Sequence, residues 1–239
     1  MDIVYLLSNE VSEWHNFEIK YSVRSVEKYL KNFNKIFIIG AKPSFFNDNI
    51  IHIHHHDNLR HSHERRIYEK IKHACMQPKI SDNFLFFNDD YFLVKEIDAL
   101  NVVECWDKSL VRKLSTRKYV DCYARALRNT INVLRLNDNP VKNFDIHYPI
   151  VYSKSLFLEV MNMYNWDYPD GYVIKSLYCN TLNIAGKRKR DCKIMKNLSY
   201  HDLSTRLEGE DLFSTKPQIS DTLKKFIAEL YPTKSRYEL

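Results

Sequence analysis

Apolar and polar positions along the first half of the chain follow two alternating periods. Residues 2–7 (DIVYLL) form a short apolar run of the buried-strand kind. Ile19, Val23, Val26, Leu30 and Phe33 then recur at spacings of four and three, which marks one face of a helix. KIFIIG (35–40) predicts a second buried strand stopped by Gly40, with Pro43 in the turn beyond. NIIHIHH (49–55) predicts a third strand, and 62–76 a helix whose inner face carries Ile67, Ile71 and Ala74. NFLFFN (83–88) is the fourth strand. Strands alternating with helices predict an α/β fold of βαβ units, with a mostly parallel sheet flanked by helices on both faces.

The second half reads as more helical. Val120, Ala124, Leu127, Ile131 and Leu134 mark a long helix ended by NDNP (137–140). NFDIHYPIVY (143–152) is a loop leading into a strand, followed by a helix from about Ser153 to Tyr164. Asp170 is placed to cap a helix running to about Leu182. GKRKRDCKIMK (186–196) reads as a turn and a strand, and a final amphipathic helix contains Leu223, Phe226, Ile227 and Leu230. With no repeat and no linker, the expectation is one domain over 1–239, the sheet half at 1–95 and a helical C-terminal elaboration at 96–239.

Composition removes several function classes. Four glycines leave neither GxGxxG nor GxxxxGK[ST], which argues against phosphate-cradling glycine loops. Five cysteines, odd in number and without a CxxC, read as reduced thiols. No stretch approaches the ~20 apolar residues of a membrane span, and MDIVYLLSNE lacks a signal peptide's basic start. A cytoplasmic protein, bacterial or phage-encoded, is the expectation. The net charge of +6 tolerates an anionic partner without demanding one.

One feature breaks the hydrophobic pattern. FLFFNDDYFLVK (84–95) sets Asp89 and Asp90 side by side at the end of an apolar strand, where an uncompensated buried carboxylate costs several kcal/mol. In open parallel sheets ligands bind beyond the carboxyl ends of the strands, the edge at which Asn88, Asp89 and Asp90 fall. One of the two carboxylates is positioned to ligate Mg²⁺ or Mn²⁺, which prefer oxygen ligands and commonly share them with a diphosphate; the other meets a ribose hydroxyl or a bound water. A plain turn cap is the alternative for the same residues.

Three blocks in order resemble the Stealth family of sugar-phosphate transferases, whose fold is related to that of GT-A glycosyltransferases. FLFFNDDYFL resembles that family's FxYFNDDxFL, EIKYSVRSVEKYLKNFNKIFIIG (18–40) is similar to its ELRYSLRSIEKY…KIYIVT, and HYPIVYSKSLFLEV (147–160) to its HxPxxxxKxxxxE. Where the family runs from its first strand into WVDGSD, this chain has LLSNEVSEW (6–14), with Ser8 and Asn9 in the corresponding place. The resemblance implies a GT-A-like, Rossmann-related fold. It also implies an enzyme that moves a sugar or sugar-1-phosphate from a nucleotide-sugar, a UDP-sugar by expectation, to a polysaccharide or glycan hydroxyl. It places Asp89, Asp90 and His147 at the metal, with Asp89 and His147 also in the catalytic set. It makes Asp170 a candidate for deprotonating the acceptor, with Asp167 as a substitute.

Several side chains carry two readings. Lys20 and Arg24, one helical turn apart, reach a donor phosphate or decorate the solvent face. Lys187 and Arg188, with Lys189 and Arg190, clamp a leaving diphosphate or form a solvated turn. Asp145 shares a strand face with His147 if that segment is extended. The histidines of HIHHHDNLRHSHE (52–64) have no cysteine partner and no HExxH, so a loop lining the site is favoured over zinc. Two other chemistries suit the same residues: glycosylation of a hydroxymethylated DNA base, as phage enzymes perform, and hydrolysis by a two-metal nuclease or phosphatase.

Overall fold

The computed structural model describes residues 1–8, 16–216, 218 and 220–239. A central sheet is built from β1 (Asp2–Leu7), β2 (Ile36–Gly40), β3 (Ile50–Ile53), β4 (Asn83–Phe87) and an out-of-sequence strand, Ile150–Ser153, in the spatial order β3–β2–β1–β4 and then Ile150–Ser153. The first four pair in parallel, with Ile3 level with Ile36 and Leu85, and Ile150–Ser153 runs antiparallel along β4. The four predicted strands thus form the parallel part of the sheet.

β1, β2 and β4 are apolar on both faces because both faces are covered, whereas the edge strand β3 leaves His52 exposed. Val4, Phe37, Ile39, Phe84 and Phe86 point into a core shared with α2 (His63–Cys75), α4 (Cys122–Leu136), α5 (Lys154–Asn162) and α6 (Ile174–Thr181). Ile3, Tyr5, Ile36, Ile38, Leu85 and Phe87 point the other way, against Ile19, Val23 and Val26 of α1 (Phe17–Tyr29). A short helix, α3 (Leu110–Ser115), precedes α4. Gly40 closes β2 at φ +115°, where a Cβ would sit 2.0 Å from the Leu7 carbonyl oxygen, so only glycine keeps this end of the β1–β2 pairing closed.

Beyond Asp89 and Asp90 the chain enters β5 (Tyr91–Leu93), which pairs antiparallel with Leu212–Thr215; that strand pairs in parallel with Lys193–Ile194. Helices α7 (Tyr200–Leu207) and α8 (Asp221–Leu230) close a third core around Phe92, Phe213, Phe226 and Ile227. This is the expected C-terminal elaboration, with a small sheet that the sequence pattern did not show. All five cysteines are free thiols, four buried and Cys122 exposed. No described helix is long and apolar enough to cross a membrane.

Local expectations shifted at three helix ends. Leu30 leaves α1 to pair with Ile97 as an extended residue. Val120 lies before α4 and is 63% exposed, because Asp121 caps that helix by accepting from the Ala124 N–H at 2.8 Å. Asp170 caps nothing. Gly171 turns the chain in the left-handed region (φ +64°), and α6 starts only at Ile174.

Candidate active site

A cavity of about 730 Å³ opens at the carboxyl edge of the parallel strands. Its apolar floor is Ile67 and Ile71 of α2, Phe86 of β4 and Ile174 of α6. Asn88, Asp89 and Asp90 enter from the end of β4, and Asp145 and His147 from the segment before Ile150. The structure therefore brings Asn88, Asp89, Asp90 and His147 to one cavity, with Asp145 beside them.

The strand after the aspartate pair is held from α1. Ser22 Oγ lies 3.0 Å from Tyr5 Oη and donates to the Tyr91 carbonyl at 2.6 Å. Ser25 Oγ accepts from the Leu93 N–H at 3.0 Å. The two buried serines of the YSVRS segment thus anchor the exit of the aspartate turn. From the opposite side Lys175, buried on α6, donates to Tyr91 Oη (2.8 Å) and to the carbonyls of Ile146 (3.1 Å) and Tyr148 (2.8 Å). One ammonium therefore ties the Asp90 turn to the His147 segment. Burial lowers its pKa, while the nearby Asp145, Asp191 and Asp90 carboxylates oppose that shift.

Asp90 Oδ2 accepts from Ser214 Oγ at 2.6 Å and lies 3.9 Å from Lys193 Nζ, but Asp90 Oδ1 is buried with no hydrogen-bond partner. Burial, then the Asp90 and Glu18 carboxylates, pushes the Asp89 carboxyl well above the ordinary range. A crowded carboxylate pair with an orphaned oxygen fits a hard divalent cation that completes its shell with ligand oxygens and water. His147 does not join it as a third protein ligand: among the described residues no group of three His, Cys, Asp or Glu is placed to hold a metal. Its Nδ1 lies 2.8 Å from Asp191 Oδ1 and its Nε2 3.0 Å from Lys193 Nζ. An ammonium can only donate, so Nε2 accepts and the proton sits on Nδ1, facing Asp191. Against the upward push of burial, the His147 hydrogen bonds hold Asp191 well below the usual carboxylate range.

The far wall belongs to Glu64, in the first turn of α2, and to Asp145, which accepts a hydrogen bond from Tyr123 Oη. Burial and the Asp145 charge push Glu64 upward. Tyr152 is fully buried, lines the cavity, and leaves its hydroxyl unpartnered. Lys113 and Arg117 close the mouth beside Lys193.

The remaining sequence candidates lie elsewhere. Arg24 grips Glu238 with Nε and Nη2 at 2.7 and 2.8 Å, and Lys20 reaches the same carboxylate at 3.7 Å, so both fasten the C-terminal segment instead of facing the cavity. Asp170 is held by Arg125 Nε and Nη2 at 2.6 and 3.0 Å, outside the cavity, and this pairing lowers its pKa. A carboxylate so engaged is a poor base. Asp167 is exposed. Lys187 and Arg188 pair with Cys105 and Trp106 on the exposed surface, and Lys189 is bound to Asp211. Ser8 follows β1 at the same edge as the aspartates but does not line the cavity; Asn9 lies outside the described residues. In the histidine-rich stretch only His63 lines the cavity, while His52 Nε2 bonds the Gly40 carbonyl at 2.6 Å and Asp57 pairs with Lys70. Neither a zinc site nor a two-metal centre is built among the described residues.

Sequence reasoning missed Glu64, Lys113, Arg117, Lys175, Asp191 and Lys193. Only the last two carried a local signal, lying just beyond the GKRKR cluster that drew the attention.

No protein-family model matches the chain. It is 34% identical over 95 residues to the capsular polysaccharide phosphotransferase cps1A of Actinobacillus pleuropneumoniae, covering 36% of this chain and 26% of that protein. A capsular polysaccharide phosphotransferase of Actinobacillus suis is 32% identical over 95 residues, covering 36% and 25%. The chain spans about a quarter of the length of these curated relatives. An active-site mutant of LgtC superposes with a TM-score of 0.50 at 12% identity, over 96% of this chain and 95% of that one. The resemblance is borne out to this extent: over 95 residues the chain is similar to capsular polysaccharide phosphotransferases, and its fold is the GT-A-like fold of LgtC.

Proposed function

We propose that this protein is a metal-dependent transferase that moves a sugar, or a sugar-1-phosphate, from a nucleotide-sugar to a hydroxyl of a glycan acceptor. The observation that carries the reading is the Asp89–Asp90 pair at the strand edge, with Asp90 Oδ1 buried and unpartnered, beside a cavity that Lys113, Arg117 and Lys193 also line. Asp89 and Asp90 would hold Mn²⁺ or Mg²⁺, which would supply Lewis-acid stabilisation of the charge on the leaving group, a nucleoside diphosphate if the sugar alone moves and a nucleoside monophosphate if the pyrophosphate bond breaks and sugar-1-phosphate moves. Lys113, Arg117 and Lys193 face that leaving group and lower the cost of its developing charge. Its nucleoside is uridine by expectation from the sequence resemblance. Lys193 and Asp191 hold the His147 ring in one orientation beside the cavity. The acceptor hydroxyl enters from the wall formed by Glu64 and Asp145. Its proton goes to a carboxylate of that wall as the bond to the transferred group forms and that group's bond to the leaving nucleotide breaks, in place of the Asp170 role expected from sequence.

The name of the relatives, capsular polysaccharide phosphotransferase, agrees with this reaction class. The test is incubation with Mn²⁺ and a panel of nucleotide-sugars, reading slow hydrolysis of the donor. Release of nucleotide by the wild-type protein, lost in Asp90→Asn at unchanged melting temperature, supports the reading. No release from any donor, or equal release in the variant, overturns it.

A further inference from the structure

A second, smaller cavity of about 250 Å³ lies against the outer side of α3 and shares Lys113, Arg117 and Asp191 with the large one. Lys108 and Arg112 line only this side pocket. Its wall therefore carries four cations. The two carboxylates facing them are already engaged: Asp191 receives the His147 hydrogen bonds, and Asp107 lies 3.6 Å from Lys108. Arg117 is paired with Asp121, whereas neither Arg112 nor Lys113 forms an ion pair with a described residue. Two cations without an ion-pair partner in a concave site favour an anion, and arginine's fork suits phosphate oxygens in particular.

We infer that the side pocket is a subsite for a phosphate group carried by the glycan acceptor, one unit away from the hydroxyl that reacts in the large cavity. The inference rests on the transferase reading for the word acceptor, while the pocket's preference for phosphate stands on its own residues. Two features favour a sugar phosphate over a nucleic-acid strand. No aromatic ring lines the pocket, so bases find no stacking surface there. At about 250 Å³ the space is also sized for a sugar phosphate and not for a run of several nucleotides.

The probe is glucose 6-phosphate, titrated by calorimetry at low salt, about 20 mM, where screening is weak. Glucose and a decathymidylate serve as controls, and the variant is Lys108→Glu with Arg112→Glu. Both side chains are exposed, so folding is retained and is checked by the melting temperature. The wild type is expected to bind glucose 6-phosphate and not glucose. The double variant should bind it at least ~10-fold more weakly, while UDP with Mn²⁺ binds both proteins alike. Equal affinity of wild type and variant for glucose 6-phosphate overturns the subsite. Decathymidylate binding that exceeds the sugar phosphate and disappears in the variant overturns the glycan assignment in favour of nucleic acid. Failure of UDP and Mn²⁺ to bind the wild type, with the glucose 6-phosphate result as expected, removes the donor reading and leaves the phosphate subsite standing.

Discussion

Replacing Lys175 with methionine isolates the tie between the aspartate turn and the His147 segment. The ammonium makes three hydrogen bonds, to Tyr91 Oη and to the Ile146 and Tyr148 carbonyls, and it is buried at 6% exposure. Hydrogen bonds to a charged donor contribute ~1.5–3 kcal/mol each, and two carbonyls and a hydroxyl left dry would add their own desolvation cost. Methionine keeps most of the stem's packing, which offsets part of the loss. The Asp90, Asp145 and Asp191 carboxylates also lose a nearby buried cation. The net expectation is a loss of ~3–5 kcal/mol, the range for removing one partner of a buried charged cluster. Urea unfolding followed by far-ultraviolet circular dichroism measures it, and the thermal midpoint should fall by about 10 °C for a chain of this size. A loss below ~1 kcal/mol with an unchanged denaturant slope would falsify the claim that this lysine is the structural tie.

Three further outcomes are expected. Arg24 and Ser235 hold the Glu238 carboxyl down to about 2 against the upward push of its burial, so this group contributes stability in full above its ordinary value of 4.5 and loses it as pH falls toward 2. Wild type should therefore lose an extra ~1–3 kcal/mol across that window relative to Glu238→Gln, and parallel pH–stability curves for the two would contradict the clamp. Asp170→Asn should leave donor turnover within about threefold of wild type and cost at most ~1 kcal/mol, since its Arg125 partner is exposed; a drop of ~10² in turnover would restore it as the base. Glu64→Gln, on the acceptor wall, should lower transfer to the acceptor while leaving donor and Mn²⁺ affinity unchanged, and a fall in donor affinity instead would move the wall's role to the donor.

The sheet was legible because three of its parallel strands, buried on both faces, read as unbroken apolar runs, the edge strand Ile50–Ile53 still read as a strand, and the helices between them kept one inward face. Asp89 and Asp90 were legible for a related reason: charge cannot interrupt such a run except where the strand reaches an opening. Lys20 and Arg24 were misread because a basic turn on α1 looks the same whether it meets a phosphate or Glu238, which lies 214 residues along the chain from Arg24. Asp170 was misread because the left-handed Gly171 separates it from the helix it was expected to cap. Lys175 sits in IKSLYCN with no local sign that three partners converge on it; only the packing of α6 behind β5 creates that role. Glu64 looks like any acidic residue in a helix's first turn, and its chemistry comes from burial beside Asp145.

The most direct test of the central claim is calorimetric titration of UDP-glucose and UDP-galactose into the protein with Mn²⁺, repeated with excess EDTA and with Asp90→Asn. The account predicts binding of at least one UDP-sugar that needs Mn²⁺ and is lost in the variant while its fold is retained. Binding that is equally tight in EDTA, or unchanged by Asp90→Asn, contradicts it.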